Sequence, residues 1–397
     1  MDVTFDRQKL VDALQAVSPA VSSRSGKQVL QYVHLAATDE GARLTATDSE
    51  LRIRRWLKIE DMAEQGVVLL PPQRLLAIVR SIRAEQVRLR CDATRHSHLM
   101  VGDGGSRWEL QTADASDWPG IDRTDWKMVS VVSAGGLAKL LRSVSFATCS
   151  GSSRYALHGV LVIHDPCYLR AVATDGRRLA MAHVSTADSV RSHARDSNTI
   201  WPRHLVNALG KIMPGGSSAG PECEVLLAKE NNRVMVRVPG EMEIDSLLLE
   251  GRFPKWQDVL PPASPRESDG QLEGPAGSLA SANAHTAVVL DAESRGVDWV
   301  IDPTDQCSVT LSAAAETGRS QVRAICQASI RAGYERAAVS LDHRYVTEGL
   351  RAIAGDQVVT MHFYSAKGMA EFFLPWWRYV VMGMAVDGGK DGGEPAA

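Results

Sequence analysis

Two stretches of this chain are versions of one another. Leu169–Ala182 (LRAVATDGRRLAMA) and Leu44–Ile53 (LTATDSELRI) each run as a strand into a tight turn at Thr-Asp. The turns are Thr174-Asp175 and Thr47-Asp48, 127 residues apart. Repetition at that period limits the fold severely. A reused unit must close its own core each time, and it must dispose of the sheet edges it leaves behind.

The flanking sequence extends the match. Val33 (QYVHL) lies fourteen residues before Thr47, and Val160 (LHGVLV) lies fourteen before Thr174. A third segment, RGVDWV at Arg295–Val300, resembles His158-Gly159-Val160 and is followed, fourteen residues after Val297, by Leu311 in VTLSA. Pro72–Ile82 and Pro202–Ile212 both set apolar side chains at +3, +4, +7 and +10 from proline. That is helical spacing, with proline where its missing N–H costs little. Asp342–Leu350 repeats the pattern with an N-cap type residue in place of proline. Asp117-Trp118-Pro119 and Arg252-Phe253-Pro254 each close a strand-like run. The common order of these features argues for a threefold repeat.

A chain of 397 residues suits three such units of about 130. Its 44% hydrophobic and 23% charged residues are those of a soluble globular protein, not of a membrane or disordered chain. No apolar run approaches the ~18–20 residues of a membrane span. The N-terminus, MDVTFDRQKL, lacks a signal-peptide core, so a cytoplasmic location is expected. Cysteines 91, 149, 167, 223, 307 and 326 show no C-x-x-C, which indicates neither a disulfide framework nor a zinc site. The net charge of −3 argues against a generally basic coat but allows one basic face.

The expected class is α+β, three repeated domains each with two helices and about eight strands. Domain one spans 1–125, domain two 126–255 and domain three 256–386, with a disordered tail at 387–397 (DGGKDGGEPAA). First-domain helices are expected at Phe5–Val17 and 72–82, and strands at 29–37, 42–47, 51–58, 66–70, 86–91, 97–102 and 107–112. Further helices are expected at 134–146 and near 278–289. Pro261–Gly277 (PPASPRESDGQLEGPAG) reads as a linker or mobile loop.

Catalytic signatures are missing. There is no G-x-x-x-x-G-K-[ST], H-E-x-x-H or G-x-G-x-x-G. His96 and His98 share a strand face, where solvation explains them better than a metal. Asp298, Asp302 and Asp305 surround a proline-containing turn, and turn chemistry explains them better than two-metal transfer. Arg177-Arg178 is either an exposed turn with long side chains or the rim of an apolar pocket walled by Leu157, Leu179, Pro254 and Val259. Arg7, Lys9, Arg74, Arg80, Lys139, Arg142, Arg203, Lys211, Arg344 and Arg351 fall within the expected helices. They are either a solvated face or, if the helices line one surface, a set of phosphate contacts blind to base sequence.

One series of motifs goes further: Phe146 and Ser153-Arg154-Tyr155-Ala156-Leu157-His158-Gly159-Val160, then Ala173–Ala180 (ATDGRRLA), Glu250–Pro254 (EGRFP) and Tyr379–Met384 (YVVMGM). In order and over nearly the whole chain, it resembles the bacterial β sliding clamp, the processivity subunit of DNA polymerase III. The resemblance implies the DNA clamp fold and a ring-forming head-to-tail dimer with helices lining the hole. It implies no enzymatic activity, cofactor or metal, and no membrane. The implied partners are double-stranded DNA held without sequence preference, a second copy of the chain, the DNA polymerase III catalytic subunit, the clamp loader, and other proteins with clamp-binding peptides.

Residue by residue, the family's peptide pocket falls on Leu157, Thr174, Gly176, Arg177, Arg178, Leu179, Pro254, Val259, Asp342, Tyr345, Val380, Met382 and Met384. DNA contact falls on Arg24, on the loop Ser150–Ser153 and, with the helix cations, on Arg74, Arg80, Lys139, Arg142, Arg203 and Lys211. The dimer contact falls on Trp108, Leu110, Val288 and Val289. The chain also departs from the family pattern. Gly383 stands where proline is usual, which predicts a looser final strand. Asp342 stands where a neutral amide is common, which predicts an altered peptide preference. The competing functions are a metal-dependent nucleotidyltransferase and a diverged clamp-like paralogue that binds partners without being loaded on DNA.

Overall fold

The computed structural model describes residues 1–22, 26–91, 98–102, 105–120, 124–149, 155–165, 167–186, 198–213, 222–228, 232–261, 268–302, 304 and 307–384. These residues form six α-helices and 26 strands. The helices are α1 (Arg7–Val17), α2 (Pro72–Ser81), α3 (Ala134–Ser145), α4 (Arg203–Ile212), α5 (Ala276–Thr286) and α6 (His343–Arg351). They pack in three pairs, α1 with α2, α3 with α4 and α5 with α6.

Local chemistry sets the helix starts. Asp6, Ser133 and Asp342 each turn a side-chain oxygen onto a backbone N–H of the first turn of α1, α3 and α6. Proline opens α2. Each first helix follows directly on a strand, Asp2–Asp6, Lys127–Ser133 or Gly270–Pro275. Phe5 therefore belongs to a strand and not to α1. Gly270–Pro275 corrects the linker expectation for 261–277. This segment pairs with Gln327–Ile330 on one side and Val358–Tyr364 on the other, with Leu272 fully buried. Likewise residues 28–31 are a short 3-10 turn, and the first central strand begins only at Val33.

The Thr-Asp turns match atom for atom. Thr47 Oγ1 donates to the Leu51 carbonyl at 2.9 Å and accepts from the Ser49 N–H. Thr174 Oγ1 donates to the Arg178 carbonyl at 2.6 Å and accepts from the Gly176 N–H. Asp48 and Asp175 each accept from the next two available backbone N–H groups. The third turn residue has φ of +84° at Ser49 and +90° at Gly176. Glycine adopts that conformation freely, and serine only at a cost.

Each turn launches a strand that leaves its own unit. Leu51–Leu57 pairs antiparallel with Met242–Leu247, producing one eight-stranded sheet. Arg178–Ser185 pairs with Trp377–Met382 in the same way, producing a nine-stranded sheet. These two seams join the chain from end to end. The remaining sheets have five strands, ending at Arg107–Gln111, and four strands, ending at Gly318–Ile325.

Candidate functional site

The turn at Thr174–Arg178 sets the register of the second seam. Because its hydrogen bonds fix where the strand begins, Leu179 lies directly opposite Val380 across the seam. Both side chains are buried. Leu260 packs against the cluster containing Leu179 and Trp256, and also against the one containing Val380, Tyr364 and Met369. Leu157 and Thr174 are also buried. Pro254, Val259, Met382 and Met384 are exposed, as are Gly176 and Arg177. Large apolar side chains held at a surface mark a place where something else binds, and methionine adapts to varied partners. Trp256, Tyr364 and Met369 were not singled out from the sequence. The Phe253-Pro254 signal stops just short of Trp256.

Arg177 and Arg178, adjacent in sequence, differ completely. Arg177 is exposed at the rim. Arg178 corrects the rim reading, since it is buried and bridges three elements. Its Nε donates to Asp175 at 2.9 Å, Nη1 to Glu348 of α6 at 2.6 Å and Nη2 to the Phe146 carbonyl at 2.8 Å. Its guanidinium also lies 4.3 Å from the Tyr345 ring centroid. Burial disfavours its charge, but Tyr379, Glu348 and Asp175 outweigh that and raise its pKa. Tyr345 in turn accepts from the Tyr379 hydroxyl through its carbonyl at 2.9 Å.

Asp342 is buried and already engaged. It caps α6 and takes Nη2 of Arg344 at 2.7 Å. Burial opposes ionisation, but the Arg344 bonds prevail and hold its carboxyl below the ordinary range. Gly383 corrects the expectation of a loose end. Its N–H donates to the Gly368 carbonyl at 2.5 Å, a bond proline could not make, and the Met384 N–H donates to the Ser340 carbonyl.

Of the expected DNA-contact residues, Arg74 and Arg80 sit on α2, Lys139 and Arg142 on α3, and Arg203 and Lys211 on α4. All six are exposed, and none makes an ion pair among the described residues. Arg24 and Ser150–Ser153 lie outside the described residues, as do His96 and Asp305. Asp298 belongs to the strand Gly296–Ile301, and Asp302 accepts from the Thr304 N–H and hydroxyl, which fits a turn. No group of three or more His, Cys, Asp or Glu among the described residues could hold a metal ion. Trp108 and Leu110 are half-buried on the edge strand Arg107–Gln111. Val288 is 78% exposed, just beyond α5, and Val289 is partly buried against the core.

Paired helices and sheets continued across units define a clamp-type protein. Two family models agree. The N-terminal domain of the DNA polymerase III beta subunit matches residues 1–122, and its central domain matches residues 132–255. The chain is 29% identical to the beta sliding clamp of Pseudomonas aeruginosa over 298 residues, covering 75% of this chain and 77% of that one. For the Escherichia coli clamp the identity is 28% over the same coverage. A crystal structure of the P. aeruginosa clamp bound to griselimycin superposes with a TM-score of 0.84 at 25% identity, covering 97% of this chain and all of the other. The Bacillus subtilis clamp superposes with a TM-score of 0.82 at 19% identity, covering 97% of this chain and 99% of that one. The chain belongs to the DNA polymerase III beta subunit family, the bacterial sliding clamps.

Proposed function

We propose that two copies of this chain close head to tail into a ring around duplex DNA, as a processivity factor for DNA polymerase III. The recurring seam carries this reading. Leu51–Leu57 packs on α1 and Arg178–Ser185 on α3, and each joins the last strand of the following unit. The third such strand, Gly318–Ile325, packs on α5 and ends its sheet. The last strand of the first unit, Arg107–Gln111, also ends its sheet. A second copy can supply the missing neighbour to each, and a contact between two different patches closes when the rotation is twofold. Trp108, Leu110, Val288 and Val289 border this contact, with Ile325, 84% exposed, beside them.

In this reading the units are residues 1–125, 126–255 and 256–386, and the helix pairs face the DNA. Their cations contact phosphates weakly and without sequence preference, which permits sliding. The chain performs no chemistry of its own and works in the cytoplasm. Its slot at Leu179 and Val380, rimmed by Arg177, Tyr345, Pro254, Val259, Met382 and Met384, takes short apolar peptides of the polymerase catalytic subunit, the clamp loader and repair proteins. Light scattering at low micromolar concentration tests the ring. A mass twice 43.0 kDa is expected, and a stable monomer would contradict it, because three units cannot surround a duplex.

A further inference from the structure

We infer that the DNA phosphate backbone seats mainly in one groove of the bore, where the second and third units meet, and that the α5 face makes no ionic contact with it. This rests on the helix pairs facing DNA. The groove is bounded by Lys139 and Arg142 of α3, Arg203 of α4 and Arg351 of α6, with Trp376 in its wall.

α1 and α2 carry four cations, of which Lys9 pairs with Glu60 at 3.5 Å, and one carboxylate, Asp12. α3 and α4 carry four cations and no carboxylate. α5 (AGSLASANAHT) carries neither lysine nor arginine. On α6, Arg344 is held by Asp342 at 2.7 Å, so Arg351 is the cation left for a ligand. The one carboxylate at the groove, Glu348, already receives Arg178 at 2.6 Å. Arg142 and Arg351 lie in the last turns of α3 and α6. Carbonyl ends there would repel a phosphate, and these cations offset that repulsion.

Trp376 is a positioning residue. The Lys139 ammonium lies 3.9 Å from its ring centroid. A lysine on an open helix sweeps a wide volume; one held over an aromatic face keeps its position, and its N–H groups stay available to phosphate oxygens. The Trp376 carbonyl accepts from the His183 N–H at 3.0 Å, which ties this turn of the third unit to the second. The groove therefore exists only where the second seam is closed.

The test is the salt dependence of binding a short blunt DNA duplex, read by fluorescence anisotropy on the full chain. Removing one cation–phosphate pair lowers the log–log slope by about 0.9. Arg142→Gln with Arg351→Gln is expected to lower it by about 1.8, and Arg74→Gln with Arg80→Gln by less than half as much. Trp376→Leu is expected to reproduce the decrease seen in Lys139→Gln and to add nothing to it in the double variant, while Trp376→Phe retains part of the slope. Equal decreases from the two arginine pairs would overturn the seat. Additive decreases from Trp376→Leu and Lys139→Gln would overturn the positioning role. If the unaltered chain neither bound the duplex nor stayed on nicked circular DNA, the clamp reading itself would fail. Retention with equal slopes would leave that reading intact and sink only the groove.

Discussion

The two seams are built on one plan with different materials. At the first, Leu51–Leu57 against Met242–Leu247, arginines meet carboxylates across the joint. Arg52 and Arg233 both bind Asp245, which is 1% exposed, and Arg54 and Arg237 both bind Glu243. At the second, aromatic packing replaces this ladder. Tyr379 stacks between Phe372 and Trp377, and the Trp377 indole donates to the Ser143 carbonyl at 2.8 Å. One cation, Arg178, ties turn, helix and strand together. A ladder of long side chains covers its joint. A compact aromatic joint with its cation tucked inside leaves Leu179 facing Val380 on the opposite side of the sheet, beside the exposed Met382. The same backbone topology thus yields a joint sealed by ion pairs in one place and, in the proposed reading, a peptide site in the other.

The comparison breaks most visibly at Arg178. Arg178→Met leaves Glu348 and the Phe146 carbonyl without this donor and Asp175 with its backbone donors alone. Losing the hydrogen bonds of a charged group costs about 1.5–3 kcal/mol, since the Glu348 side chain is 50% exposed, to be read by chemical denaturation. A cost near that of an exposed pair would contradict its role as the tie of the second seam. Gly349→Ala is next. A Cβ there would meet the Tyr379 ring, and overpacking costs about 1–3 kcal/mol. Peptide affinity at the slot should fall with it, while the first seam stays unaffected.

Acid loosens the middle unit that both seams share. Burial pushes the His164 imidazole down from its ordinary 6.5 to about 4. A depressed folded-state pKa means that its contribution is complete above pH 6.5 and disappears as pH falls toward 4. By linkage about 2 kcal/mol is gone at pH 5. Denaturation midpoints at pH 7 and pH 5 should therefore converge in His164→Asn; an unchanged difference would rule this out.

The smallest effect sharpens the turn comparison. Ser49→Gly relieves a left-handed serine and should stabilise by about 1 kcal/mol, whereas Gly176→Ser should destabilise by a similar amount. Shifts of the same sign would mean that the two turns are not equivalent.

Local features were legible in the sequence. The proline-led spacing gave α2 and α4 nearly to the residue, and Thr-Asp marked both seam strands, because turns and amphipathic helices depend on near neighbours. Gly270–Pro275 was not. Its polar composition resembles a linker, and only the pairing with residues 327–330 and 358–364 makes it a strand. Arg178 was not readable either, since Glu348 is 170 residues away and nothing near the turn announces that its cation points inward.

The central claim is that the unpaired edges Arg107–Gln111 and Gly318–Ile325 close a ring through a second copy, making a third kind of seam. The most direct measurement is retention on nicked circular DNA after clamp loading, before and after the circle is linearised. The account predicts retention at high salt on the circle and rapid loss once a free end exists, because topology and not affinity holds the ring. Equal retention on circular and linear DNA would contradict it.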